Sequence, residues 1–221
     1  MNVSTKVQTV WLAPPRTATR STWKLLELYE FKPIGITPAK SPYTHNIGVP
    51  NGAEDYNLLV NFRNPYSLMV STWYYDHTRN KTNIKELSFE QYVRDKCITR
   101  ILSSTRRSIK DHFYSEACNV IKKTNKSYIV IKYESLVEDI KKIPFIDFND
   151  TVIQSRYNEY ILKNNFNESS TILGELKKDS SEKHITDWRY YYTEELANIV
   201  YDYKAEQFEV FGYNKDSWKN S

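Results

Sequence analysis

The chain is short of glycine and shorter still of cysteine. Five glycines in 221 residues include no GxxxxGK[ST] loop, so an ATP- or GTP-binding reading lacks its main sequence support. The two cysteines, Cys97 and Cys118, form no disulfide framework and no metal-ligand spacing, and read as reduced, structural thiols. No apolar run approaches the roughly eighteen residues of a membrane span. The start, "MNVSTKVQTVWLAPP", has no basic segment followed by a long apolar one, so no signal peptide is expected. The glycosylation-like triplet "NKT" at 80–82 therefore carries little weight. Charge of one sign is also scarce. A formal net charge of +4 suits an anionic small ligand or a polyanionic acceptor, and is too weak to argue for nucleic acid. A cytoplasmic protein with no membrane segment is the expectation.

What is present suits one globular domain over residues 1–221. Aromatics make up 14% of the chain, including 18 tyrosines, enough to build a core. Three short apolar runs, "VQTVWLA" (7–13), "NLLVNF" (57–62) and "YIVIKY" (128–133), are too short for lone helices and lack alternation. That is the look of strands buried on both faces. Each precedes a helix signal: Ser21 or Thr22 before Leu25 and Leu26, Asn64 with Pro65 in the first turn, and "ESLVEDIKK". Further helices are expected from Ser88, whose spacing to Gln91 is that of a capping box, from Asp111, and from Thr193, where Glu194 and Glu195 favour the positive end of the dipole. Strands alternating with helices predict a three-layer α/β/α fold with a mostly parallel central sheet.

Between the first run and its helix lies "APPRTATRST" (13–22). Phosphate at a helix N-terminus is held by unsatisfied backbone N–H groups, the helix dipole and nearby hydroxyls. Arg16 and Arg20 supply charge here. Thr17, Thr19, Ser21 and Thr22 supply hydroxyls, and Ala18 is the smallest residue where backbone must approach a ligand. The alternative is a plain helix cap with solvated arginines. The second run adds to the first reading: Arg63 closes it, Asn64–Pro65 starts a helix, and Ser71 follows on the face of Asn64 and Ser67. Ligands of parallel sheets bind at the carboxyl ends of strands, so Arg63 is expected close to the first loop.

The pair "PRTATRS" and "RNPYSLMVS" resembles the sulfotransferases that use 3′-phosphoadenosine-5′-phosphosulfate, which implies a P-loop NTPase-like sulfotransferase fold. In that family the first loop grips the 5′-phosphosulfate, and the Arg and Ser of R-x-P-x-x-x-x-x-S bind the 3′-phosphate. The resemblance gives Arg16 the basic position, Thr17 and Thr19 the hydroxyl positions, and Ala18 the glycine position. Arg20 and Ser21 complete the loop, and Arg63 and Ser71 match with the family spacing. "IVIKYESLVEDI" resembles the segment whose tyrosine lies near adenine, here Tyr133, and "DWRYYYTEELANIVYDYKAEQFEVFGY" (187–213) resembles the family's closing helix. Leu68 replaces a second arginine found in many members. In "SSEKHITDW", Lys183 is what remains of a basic element that closes on the 3′-phosphate.

Sulfuryl transfer needs a base, cations on the sulfuryl oxygens and help for the leaving phosphate. Arg16 fits the cationic role, and with arginines supplying charge no metal is expected. Of His45, His77, His112 and His184, His45 in "SPYTHNIGVP" lies in the interval where family members with a histidine base carry it, and imidazole suits abstraction from a hydroxyl. Glu54 and Asp55 stay open as alternative bases. The acceptor expected is a small molecule or a glycan. Rival readings are a P-loop-type nucleotide or small-molecule kinase, and a non-catalytic nucleic-acid-binding protein using patches such as "TRRSIK" (105–110).

Overall fold

The computed structural model describes residues 2–34, 45, 48–79, 87–99, 108–124, 127–164 and 187–219. The chain divides into two compact units, Met1–Phe62 with His112–Asn167, and Arg63–Asp111 with Glu168–Ser221.

The first unit is α/β. Its sheet has five strands, β1 (Asn2–Ser4), β2 (Thr9–Leu12), β3 (Lys32–Pro33), β4 (Asn57–Phe62) and β5 (Tyr128–Lys132), in the order β3-β1-β2-β4-β5. The three apolar runs of the sequence are β2, β4 and β5, and they pair parallel: Val10 opposite Leu58, and Leu59 opposite Ile129. The sheet as a whole is mixed, where a mostly parallel one is expected. The two antiparallel pairings come from β1 and β3, segments of three and two residues that are too short to leave a periodic signal. β1 needs no crossover helix to pair with β2, because a tight turn around Gln8, at φ 44°, joins them.

Helix α1 (Thr19–Leu26) follows β2. It buries Trp23, Leu25 and Leu26 beside Trp11, Leu59 and Ile131 of the sheet in one apolar cluster. Trp11 and Trp23 stack with centroids 6.1 Å apart. The same cluster includes Leu136 and Ile140 of α5 (Leu136–Lys141), and Ile153 and Tyr157 of α6 (Thr151–Tyr160). No periodic signal announces α6. Asp150 starts it by accepting from the N–H groups of Val152 and Ile153.

The second unit holds α2 (Pro65–Arg79), α3 (Phe89–Arg94) and α7 (Glu194–Phe211); α4 (Ser108–Lys123) begins in it and runs mostly in the first unit. The capping box at α3 is complete: Ser88 Oγ accepts from Gln91 N, and Gln91 Oε1 from Ser88 N. The core is aromatic. Tyr66 stacks on Trp188 at 6.3 Å and meets Tyr192 and Phe208 edge-on. Both cysteines are thiols outside any disulfide. Among the described residues no helix is long and apolar enough to cross a membrane.

Candidate functional site

At the carboxyl edge of the parallel strands, β2 runs into the turn that precedes α1. The sequence starts α1 at Ser21 or Thr22 behind a hydroxyl cap; in the structure it starts at Thr19. Ala18 is the N-cap, at φ 60° and ψ 21°, without a side-chain cap and with no acidic residue in the first turn. Arg16 is also left-handed, at φ 67°. This region favours glycine and costs an L-residue roughly 1–2 kcal/mol. Ala18 therefore holds a left-handed backbone conformation that glycine takes without cost.

The carbonyls of this turn are tied into the protein. His45 lies on Ala13 O, Thr17 Oγ1 donates to Pro14 O at 2.7 Å, and Tyr114 Oη donates to Pro15 O. Asn61 Nδ2 donates to Thr17 O at 2.9 Å, and Ala18 O accepts from Thr22 N at 3.0 Å. A trans peptide unit sets its C=O and N–H in opposite directions. Carbonyls held inward at 15, 17 and 18 therefore turn the amides of Arg16, Ala18 and Thr19 the other way. Thr19, Arg20 and Ser21 follow as first-turn amides without intrahelical acceptors, at the positive end of the α1 dipole. The hydroxyls of Thr17 and Thr22 serve the turn itself. Thr17 is fully buried, Thr19 nearly so, Arg16 half-buried and Arg20 exposed.

His45 stands at the same edge. Its Nδ1 lies 2.7 Å from Ala13 O. A carbonyl accepts only, so the proton is on Nδ1 and the neutral ring keeps its lone pair on Nε2. Burial pushes the His45 pKa below its ordinary value, and the bond to Ala13 O offsets part of that. Phe113 packs beside the ring, centroid to centroid 6.3 Å. Glu54 and Asp55 are exposed and lead into the amino end of β4; Glu54 accepts from Gly52 N. Six strand residues, about 20 Å at roughly 3.3 Å each, separate them from the edge that holds His45. Tyr133 follows β5 at that carboxyl edge. The turn carrying it is fixed by buried Asp139, whose Oδ2 accepts from Lys132 N at 2.9 Å and Ser135 Oγ at 2.6 Å.

In the second unit, Arg63, Ser67 and Ser71 are buried, with exposures of 2%, 1% and 1%. Arg63 Nε donates to Ser67 Oγ at 2.8 Å, and Ser71 stands one helical turn beyond Ser67 on α2, on the same face. Asn64 starts that helix as expected, its Oδ1 accepting from Tyr66 N at 3.0 Å. The segment after α7 returns to this end of α2: Asn64 Nδ2 donates to Ser217 Oγ and Tyr66 Oη to Lys215 O.

Of the expected site residues, Arg16, Thr17, Ala18, Thr19, Arg20, Ser21, His45 and Tyr133 stand at one sheet edge of the first unit. Arg63 and Ser71 stand together in the second, and Lys183 lies outside the described residues. Sequence reasoning missed Asn61 and Tyr114, and named Ser67 only as a residue on the helix face of Ser71. Asn61 left a signal, as a polar residue inside the apolar run "NLLVNF"; Tyr114 left none. Among the described residues no three His, Cys, Asp or Glu side chains form a metal-binding group. Comparison of the chain with protein-family models, curated proteins and solved structures finds no match.

Proposed function

We propose that this protein is a sulfotransferase that moves the sulfuryl group of 3′-phosphoadenosine-5′-phosphosulfate to an acceptor hydroxyl on a small molecule or a glycan. The observation that carries the reading is the turn from Ala13 to Thr19, with its carbonyls tied inward and Ala18 in the left-handed region. In this reading β2, β4 and β5 are the parallel centre of a three-layer, P-loop-like sulfotransferase fold, and β1 and β3 are an antiparallel addition to it. Two cysteines outside any disulfide suit the cytosol.

The donor, when bound, supplies a sulfur already bonded to a phosphate leaving group. The amides of residues 16 and 18–21 hold the 5′-phosphosulfate, with the hydroxyls of Thr19 and Ser21 beside them and the hydroxyl of Thr17 bracing the turn. The Arg16 guanidinium balances charge that grows on the oxygens as sulfur transfers, and Arg20 adds long-range attraction. His45 Nε2 takes the acceptor's proton while the acceptor oxygen bonds to sulfur and the bond from sulfur to the 5′-phosphate oxygen breaks; adenosine 3′,5′-bisphosphate leaves. The resemblance gives Tyr133 to the adenine and, by their spacing, Arg63 and Ser71 to the 3′-phosphate, with Lys183 as the remaining basic residue for that phosphate. No step calls for a divalent metal.

Calorimetry tests the reading. Adenosine 3′,5′-bisphosphate should bind in the presence of chelator, more tightly than ATP with magnesium or an oligonucleotide. Preference for ATP with magnesium would replace the reading by a kinase, and preference for the oligonucleotide by a nucleic-acid-binding protein.

A further inference from the structure

Asn61 is fully buried in β4, between an indole and the candidate loop. Its Oδ1 accepts from Trp11 Nε1 at 2.7 Å. Its Nδ2 gives one proton to Thr17 O at 2.9 Å and the other to Thr22 Oγ1 at 2.8 Å. Indole N–H only donates and a carbonyl only accepts, so chemistry allows one orientation of this amide. Thr22 Oγ1, 3.2 Å from Ala18 O, donates onward to it. The bonds form a directed chain, from Trp11 through Asn61 and Thr22 to Ala18, with a branch to Thr17. Both branches end on carbonyls, those of Thr17 and of the left-handed Ala18.

We infer that Asn61 is the positioning residue of this site: it holds the 17–18 and 18–19 peptides with their amides toward the anion. Neither aspartate nor leucine serves equally. Aspartate presents oxygen to the Thr17 carbonyl and a negative charge behind an anion site. Leucine, close in volume, leaves the Thr17 carbonyl and the Trp11 indole without partners in a buried place. The role of Asn61 rests on the sulfotransferase reading only for the identity of the anion; the clasp on the loop is a property of the folded chain.

Two measurements separate those parts. Trypsin cuts after Arg16 and Arg20, so cleavage in the nucleotide-free protein reports loop opening. Asn61→Leu should raise the rate of cleavage after Arg16 at least tenfold, and Thr22→Val, a milder change in the same chain, a few-fold. Ile153→Val, a core change in α6, controls for plain loss of stability and should leave that rate within twofold of wild type at equal folded fraction. In parallel, adenosine 3′,5′-bisphosphate affinity should fall about tenfold or more in Asn61→Leu, less in Thr22→Val, and stay unchanged in Ile153→Val. If Asn61→Leu does not fold, Thr22→Val decides. Unchanged cleavage or unchanged affinity in the decisive variant overturns the inference. Faster cleavage in a protein whose wild type binds no nucleotide supports the clasp and rejects the donor reading instead.

Discussion

The loop after β2 and the start of α2, each proposed to hold a phosphate group, are built from different materials. In the first unit the candidate site is made of backbone. Its carbonyls are tied to Tyr114, Asn61 and Thr22, and its amides are turned by two left-handed residues. In the second unit the candidate site is made of side chains, a buried guanidinium on Ser67 with Ser71 one turn further. A site made of backbone tolerates changes of side chain and is sensitive to φ, whereas a site made of side chains reverses that. Substitutions should therefore fall into two classes, apart from His45 and Arg16, to whose side chains the proposed reaction assigns direct roles.

The largest effect belongs to His45. General bases contribute roughly 10²- to 10⁴-fold, so His45→Ala should lower transfer by about that factor while nucleotide affinity holds. Survival of activity in His45→Ala would return the role of base to a carboxylate. The pH dependence has a defined sign. Burial lowers the folded-state pKa of His45 below its ordinary value of 6.5, so the acid limb of the rate profile should fall below pH 6.5. A depressed histidine charges more readily in the unfolded chain. Its contribution to stability is therefore complete above pH 6.5 and is lost as pH falls toward the folded pKa.

Arg16→Ala comes next. Loss of one preorganised donor to developing charge costs about 10²–10³ in rate. In the proposed site the backbone holds the phosphosulfate without the Arg16 side chain, so nucleotide affinity should change little. An Arg16→Ala protein with normal turnover and poor affinity would make this loop a side-chain site too, and erase the contrast.

Arg63→Ala should act on affinity. A hydrogen bond to a charged group contributes about 1.5–3 kcal/mol, or roughly ten- to a hundredfold in binding. The loss should show for adenosine 3′,5′-bisphosphate and largely vanish for adenosine 5′-phosphate, which lacks the second phosphate. Calorimetry with both nucleotides cancels any general loss of fold. Equal losses for the two would make Arg63 a structural residue of α2.

The contrast also explains what was legible in the sequence. β2 and β4 announced themselves as largely apolar runs because they are buried on both faces. β5, an edge strand whose residues are mostly half-buried, was legible from its β-branched run and not from full burial. Helices α2, α3 and α7 carried their own start signals in Asn64–Pro65, the Ser88–Gln91 box and Thr193. β1 and β3 were silent because three or two residues carry no period. The side-chain pair Arg63 and Ser71 was visible as a spacing. The backbone site was half visible: residue types showed an arginine- and hydroxyl-rich turn, but not that the hydroxyls of Thr17 and Thr22 would be spent on the turn's own carbonyls. Side-chain chemistry is written in residue types, whereas the direction of a peptide unit depends on partners far along the chain, here Asn61 and Tyr114.

The smallest expected effect gives the most direct reading of that backbone. Ala18 and Gly212 sit at helix ends with nearly the same left-handed geometry, φ 60° with ψ 21° and φ 63° with ψ 40°. One is alanine at the start of α1, the other glycine after the end of α7. A Cβ added at Gly212 would meet nothing within 4 Å, so Gly212→Ala reports the left-handed strain less the entropy that alanine removes from the unfolded chain, a net loss of about 1 kcal/mol or less. Ala18→Gly removes the same strain but frees the unfolded chain, which takes back roughly 0.4–1 kcal/mol. The net gain should be a few tenths of a kcal/mol, or about 1–2 °C in Tm for a chain of this size. Nucleotide affinity should stay level, because the amides keep their directions. A loss of stability in Ala18→Gly, beside the expected loss in Gly212→Ala, would mean that residue 18 is not left-handed in solution, and the turn would then lose the geometry that makes it an anion site.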